Sequence, residues 1–295
     1  MENTLSNILN EPEEPPCQND KFLVGNCCVR EWQPGRRDIH TYIISLKEDP
    51  TASYYAVFDP HGGDTVAQYA AKHLHEIIVQ QTEYTTGNDI EKALRESFLD
   101  IDNEILQNES GGGDPFVGST AVVVLIKEDK LYCGNVGNSR AIASVGGQVK
   151  LLSVEHKPTA EKPRLYRILG DFELKLAHEK PVDELFTAYP DVESFQLTEN
   201  WEFVILACDG VWGAMEQADV LKFCRHRIGQ GMQPKKICDE LMQYCLTHDD
   251  ITHLTGDLTI ILVCLLNGKP YSNLITRCQT AVEPVSGPVS DPESQ

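Results

Sequence analysis

Tyr54-Tyr55-Ala56-Val57-Phe58-Asp59-Pro60-His61-Gly62-Gly63 runs from an apolar, aromatic stretch into an acid and then into a cluster of turn residues. The first half reads as a buried strand. The Pro-His-Gly-Gly cluster reads as a turn, and a long helical pattern opens after it. A carboxylate at the mouth of a buried strand is costly unless a cation or several donors hold it. Asp59, with the imidazole of His61 two residues on, is a candidate metal ligand with a proton donor beside it. An ordinary Asp in a strand-to-helix turn fits this segment equally well.

Working outward, 22–29 and 39–46 are strand candidates joined by the turn-like Gln33-Pro34-Gly35-Arg36-Arg37-Asp38. Downstream, Val66, Ala70, Leu74, Ile77 and Ile78 recur at helical spacing over 64–81. His73 and His75 on this helix suit surface or packing roles. A second helix is predicted over 88–107, with Ile90, Leu94, Phe98, Ile101 and Ile105 on one face and Asn88 as N-cap. Gly111-Gly112-Gly113-Asp114 has no lysine after it and no phosphate-loop pattern, so it is a connector.

Strands at 119–126, 130–136, 140–145 and 148–153 follow, linked by short turns in the manner of an antiparallel meander. The stretch 155–191 has no regular pattern. A strongly apolar strand at 201–208 ends at Asp209-Gly210, helices are predicted at 217–229 and 233–247, and a last strand at 258–266 is introduced by Gly256-Asp257. Strands, two helices, strands, two helices, strand: this order suits a layered sandwich better than a parallel βαβ fold.

The chain has 295 residues and a formal net charge of −20, which argues against nucleic acid or an anionic membrane as partner and favours divalent cations or basic surfaces. A solvated acidic surface accounts for the charge as well. No apolar run reaches the roughly 18 residues of a membrane span, and the start lacks the pattern of a signal peptide. Ten cysteines in a chain this long do not make a disulfide scaffold, and those within apolar patterns read as reduced, buried thiols. The expected location is cytoplasmic or nuclear. Residues 1–20 carry no Lys or Arg and read as a disordered acidic tail, 21–268 as the folded domain, and 269–295 as a second disordered tail.

One pattern occurs three times: an apolar strand with a carboxylate at its mouth, at Asp59, Asp209 and Asp257. If those ends converge, mutual repulsion raises the carboxyl pKa values unless a divalent cation neutralises them. Oxygen ligands without Cys or His favour Mg²⁺ or Mn²⁺ over zinc. Coincidental turn acids are the competing reading.

Phe58-Asp59-Pro60-His61-Gly62-Gly63 resembles the FDGHGG signature of the metal-dependent, 2C-type protein serine/threonine phosphatases. Further along, Gly118-Ser119-Thr120-Ala121 is similar to that family's GSTA and Val136-Gly137-Asn138-Ser139-Arg140 to its GDSR motif. His156-Lys157-Pro158 matches HKP, Leu169-Gly170-Asp171 matches LGD, and Ala207-Cys208-Asp209-Gly210-Val211-Trp212 matches ACDGxW. Gly256-Asp257-Leu258-Thr259 stands where the family has RDNxT. The resemblance implies an α+β fold, a four-layer αββα sandwich of two central antiparallel sheets flanked by helix pairs. It also implies phosphoserine and phosphothreonine hydrolysis on proteins by a metal-bridging water, in a monomer. Carried over, Asp59, Asp209 and Asp257 bind the first metal, Asp59 and the Pro60 carbonyl hold part of the second, and His61 protonates the leaving oxygen.

The departures bear on activity. Trp32 is followed by Gln33, so the family's phosphate-gripping Arg is missing, and Arg37 stands where the second metal's ligand Glu belongs. A guanidinium cannot coordinate a cation. Arg37 is expected to turn toward Asp59 and stand in for that metal's charge, leaving one metal site expected and the second in question. Asn138 replaces the Asp of a third, weaker position; Pro60 replaces a Gly, fixing φ near −65°; Leu258 replaces an Asn. Between His156-Lys157-Pro158 and Arg167-Ile168-Leu169-Gly170-Asp171 the resemblance implies a longer segment than this chain carries. The family's substrate-guiding flap is therefore expected to be shortened here, as a lineage feature or as a splicing or gene-model artefact. Two readings stand side by side: a phosphatase of reduced activity, and an inactive pseudophosphatase that binds partners as a scaffold.

Overall fold

The computed structural model describes residues 17–29, 38–109, 115–156, 166–176, 186–248 and 257–280. The chain begins with β1 (Cys17–Gln18), β2 (Phe22–Val29), β3 (Ile39–Ile43), β4 (Ala52–Phe58) and β5 (Pro60–His61). Helices α1 (Thr65–Gln80), α2 (Thr82–Thr85) and α3 (Ile90–Glu109) come next. They are followed by β6 (Gly118–Ser119), β7 (Ala121–Lys127), β8 (Lys130–Val136), β9 (Arg140–Val145) and β10 (Gln148–Leu151). After these come β11 (Tyr166–Arg167), β12 (Leu169–Gly170), α4 (Phe172–Leu176), β13 (Phe186–Thr187), β14 (Asp191–Gln196) and β15 (Trp201–Ala207). The last elements are α5 (Asp209–Ala214), α6 (Gln217–Gly229), α7 (Pro234–His248), β16 (Leu258–Leu265) and α8 (Tyr271–Gln279).

Two large antiparallel sheets form, one in the order β1-β2-β16-β15-β9-β10 and the other β14-β8-β7-β4-β3. Why β4 reads as an unbroken apolar run is now clear: both of its faces are covered. Tyr55 and Val57 join the core shared with the first sheet and with α5 to α8, while Tyr54, Ala56 and Phe58 join the core under α1 and α3. β7 divides the same way, Val122, Val124 and Ile126 to one side and Ala121, Val123 and Leu125 to the other. The period-two split of a strand thus separates two hydrophobic layers. The architecture is α+β, helices on sheet on sheet on helices.

Three features depart from the sequence reading. β14, unassigned in sequence because its apolar positions are sparse, pairs antiparallel with β8 as the edge of its sheet. Short strands and α4 occupy described parts of 155–191, where no periodicity marked them. The tail assigned to 269–295 begins instead with α8, whose Leu274 and Cys278 are buried. Arg225 of α6 fixes that helix by donating to the carbonyls of Arg277 at 2.8 Å and Thr280 at 3.0 Å. The remainder of that tail, residues 1–16 of the acidic tail, and the connector at 111–114 lie outside the described residues.

Candidate active site

Strand register explains how distant acids meet. In the β3–β4 pair Ile39 lies opposite Phe58, so the next residue on each strand, Asp38 and Asp59, is brought to the same edge. In the other sheet Leu258 pairs with Val29, which sets Asp257 at the equivalent end of β16. The two sheets are tied there, across 219 residues of sequence, by the Asp38 N–H donating to Asp257 Oδ2 at 2.9 Å. β15 places Ala207 opposite both Ile260 and Arg140. Two residues beyond that rung, Asn138 Nδ2 donates to Asp209 Oδ2 at 2.7 Å. Beneath the rim, the Thr259 N–H donates to Cys208 Sγ at 3.1 Å and the Cys208 thiol to the Asp257 carbonyl at 3.3 Å. Trp212 Nε1 donates to the Ala207 carbonyl at 2.8 Å, anchoring the turn that carries Asp209.

Asp38 is the most confined of these acids, 3 % exposed, whereas Asp59, Asp209 and Asp257 are half-buried. Burial pushes its carboxyl up to about 6, opposed by bonds from Cys208, Thr259 and Asp59 and reinforced by the Asp257 charge. Its Oδ2 is buried with no hydrogen-bond partner. An orphaned carboxylate oxygen beside two further acids is a place short of positive charge, and hard oxygen donors suit Mg²⁺ or Mn²⁺. The donor chemistry therefore fits a divalent cation. As the side chains stand, no three His, Cys, Asp or Glu among the described residues are close enough to enclose one. Asp59 and Asp257 adjoin Asp38, and Asp209 is turned to Asn138.

His61 sits on a separate small sheet in the order β12-β6-β5. Pro60, which lacks an N–H, is accommodated because β5 is its edge strand. His61 pairs with Gly118, and Gly118 with Gly170. A Cβ on Gly118 would lie 2.6 Å from His61 Cε1, so the bare glycine is the seat of the ring. His61 Nε2 bonds Asp171 Oδ2 at 2.7 Å. The turn closes with Gly62 at φ +71°, where a Cβ would meet the Phe116 carbonyl at 2.5 Å, leaving glycine alone acceptable.

A sequence model of the family described as Protein phosphatase 2C matches residues 22–165 and 164–251. A probable protein phosphatase 2C of Caenorhabditis elegans is 38% identical over 94% of this chain and 84% of its own length. The chain belongs to the protein phosphatase 2C family. Protein phosphatase 2C homolog 3 of Schizosaccharomyces pombe is 34% identical over 99% of this chain and 76% of that protein. Among solved structures, a serine-threonine phosphatase 2C of Toxoplasma gondii superposes with a TM-score of 0.74 at 16% identity, covering 85% of this chain and 97% of that one. A C. elegans sex determining protein superposes at 0.70 with 18% identity, over 87% of this chain and 67% of its own. These last two likenesses show the fold.

Protein phosphatase 2C enzymes act on phosphoproteins and typically use Mg²⁺ or Mn²⁺. In this member Asp59, Pro60, His61, Asp209 and Asp257 are all at the strand ends just described, while Gln33 and Arg37 lie outside the described residues. Two residues at the site were not singled out in the sequence. Asp38 reads in sequence as the last residue of a turn, and only the pairing of β3 with β4 sets it beside Asp59. Asp171 falls within the Leu169-Gly170-Asp171 motif, but nothing local in sequence shows that it meets a histidine 110 residues away.

Proposed function

We propose that this chain hydrolyses phosphoserine and phosphothreonine on proteins through a metal-activated water, more slowly than a member with the full ligand set. The observation that carries this reading is the acid rim of Asp38, Asp59 and Asp257, with a buried carboxylate oxygen left unsatisfied and His61 on the adjoining strand. Asp59, Asp209 and Asp257 would hold the first ion, and Asp59 with the Pro60 carbonyl part of a second. A bound ion lowers the pKa of its water and orients it toward phosphorus. His61 donates the proton that lets the serine or threonine oxygen leave. The reduced rate follows from Arg37 and Gln33 in place of a ligand Glu and a phosphate-binding Arg, because loss of preorganised charge at a phosphoryl site costs orders of magnitude.

The same substitutions, with Asn138 occupying the Asp209 carboxylate, support a second reading in which the chain binds phosphoproteins as an inactive scaffold. Hydrolysis of p-nitrophenyl phosphate with Mn²⁺ separates the two: turnover no greater than that of Asp209→Asn ends the enzyme reading. Calorimetry is expected to count one ion in a monomeric protein. Arg37→Glu is expected to add a second ion and raise turnover; neither change would refute this account of Arg37. A cytoplasmic or nuclear setting fits the reduced thiols, as none of the ten cysteines is joined in a disulfide.

A further inference from the structure

We infer that Asp171 is the positioning residue for His61: it holds the ring by Nε2, so that the proton given to the leaving oxygen comes from Nδ1. This rests on the phosphatase reading for its chemistry, but the geometry stands by itself. The three-strand sheet puts Gly170, Gly118 and His61 in one row, and Asp171 follows Gly170 directly. Asp171 is buried, 4 % exposed, and its Oδ2 lies 2.7 Å from Nε2. The Cε1–Nε2 edge of the ring is also the one pressed on Gly118. The edge against the protein is thus committed, and Nδ1 is the nitrogen left for a substrate.

The backbone at this point is strained in a way that aims the carboxylate. Asp171 has φ +54°, in the left-handed region that non-glycine residues enter at a cost. Its N–H donates to the Val117 carbonyl at 2.9 Å, and the preceding Gly170 N–H donates to Asp102 Oδ1 at 2.7 Å. Lys175, one helical turn on, is bound by both oxygens of Asp102 at 2.6 and 2.7 Å and adds its charge to the surroundings of Asp171. Burial pushes the Asp102 carboxyl up and the Lys175 amine down, each opposed by the other, so the pair is an internal brace rather than a surface contact. α3 and α4 together therefore hold the loop whose one functional group faces His61.

In the step itself the attacking water gives up a proton to solvent, and its oxygen bonds to phosphorus as the seryl or threonyl oxygen–phosphorus bond breaks. The leaving oxygen takes the Nδ1 proton of the imidazolium, and the ring becomes neutral, keeping its Nε2 proton in the hydrogen bond to Asp171. The test uses Asp171→Asn, because Asn is as much at ease as Asp in the left-handed region. General acid catalysis matters for an alkoxide leaving group and little for p-nitrophenolate, so kcat on a phosphoserine peptide is expected to fall at least about 10-fold, with p-nitrophenyl phosphate within about twofold. Equal loss on both substrates, or no loss on the peptide, overturns the proposal. A wild-type chain inactive on both overturns the phosphatase reading instead. Nitrogen-15 NMR of the full chain then decides the positioning claim: neutral His61 is expected with its proton on Nε2 and with that preference lost in Asp171→Asn. A wild-type ring protonated on Nδ1, or unchanged signals in the variant, refutes it.

Discussion

Asp38 shows how one residue can carry the electrostatics of the site. Its folded-state pKa, about 6, lies above the ordinary 3.8. It therefore favours folding fully below pH 3.8, and that contribution is lost as the pH rises through about 6. The whole shift corresponds to at most roughly 3 kcal/mol. Asp38→Asn keeps the shape and removes the buried charge, so in EDTA at pH 7.5 the variant should be more stable than the wild type by about 1–3 kcal/mol. At pH 4 the two should converge. Urea unfolding at both values measures this; a variant weakened equally at each pH would contradict it. Asp38 also marks the limit of reading by sequence. Its partner Asp257 is separated from it by 219 residues, so the bond exists only through the pairing of β16 with β2 and β3 with β4. Asp59, Asp209 and Asp257 were legible because each follows or precedes a strand apolar enough to be recognised by itself.

Among the elements, the long ones announced themselves and the short ones did not. β4, β7, β15 and β16 are apolar on both faces, and α1 and α3 keep one apolar stripe, so pattern alone located them. β5, β6 and β12 are two residues each, below any period, yet they seat the histidine. α8 was hidden by its Pro- and Ser-containing surroundings. Its role is testable by ending the chain after Pro270. The truncation removes the carbonyl acceptors of Arg225, which remains paired to the buried Glu202 at 3.0 Å, and uncovers the surface on which Leu274 and Cys278 pack. The bonds from Tyr271 to the Met232 carbonyl, Arg277 to the Trp201 carbonyl and Gln279 to the Gly229 carbonyl are lost as well. With the lost apolar burial they predict a destabilisation of at least about 3 kcal/mol. Since α8 packs against α6 and touches β15 at Trp201, the opposite end from Asp209, turnover per folded molecule should be unchanged. A truncated chain with native stability would show that α8 is an appendage.

For the molecule as a whole, the charge of −20 and the site acids make two separable demands on cations. Diffuse repulsion among exposed acids is screened by any salt, over a Debye length of about 10 Å at 0.1 M. The rim of Asp38, Asp59 and Asp257 is confined, and one of its oxygens is out of reach of water, so screening by monovalent ions relieves it little. Raising NaCl from about 0.02 to 0.2 M should therefore lift the melting temperature of wild type and Asp59→Asn alike. Millimolar Mn²⁺ added at the higher salt should lift the wild type further, by RT ln(1 + [L]/Kd), about 2.7 kcal/mol when the ion is at 100 times its Kd. Asp59→Asn should lose most of that increment while keeping the response to NaCl. Differential scanning calorimetry of both chains decides the matter. An equal Mn²⁺ increment in the two would mean that the ion is read by the acidic surface at large, and that the converging strand ends do not form a binding site.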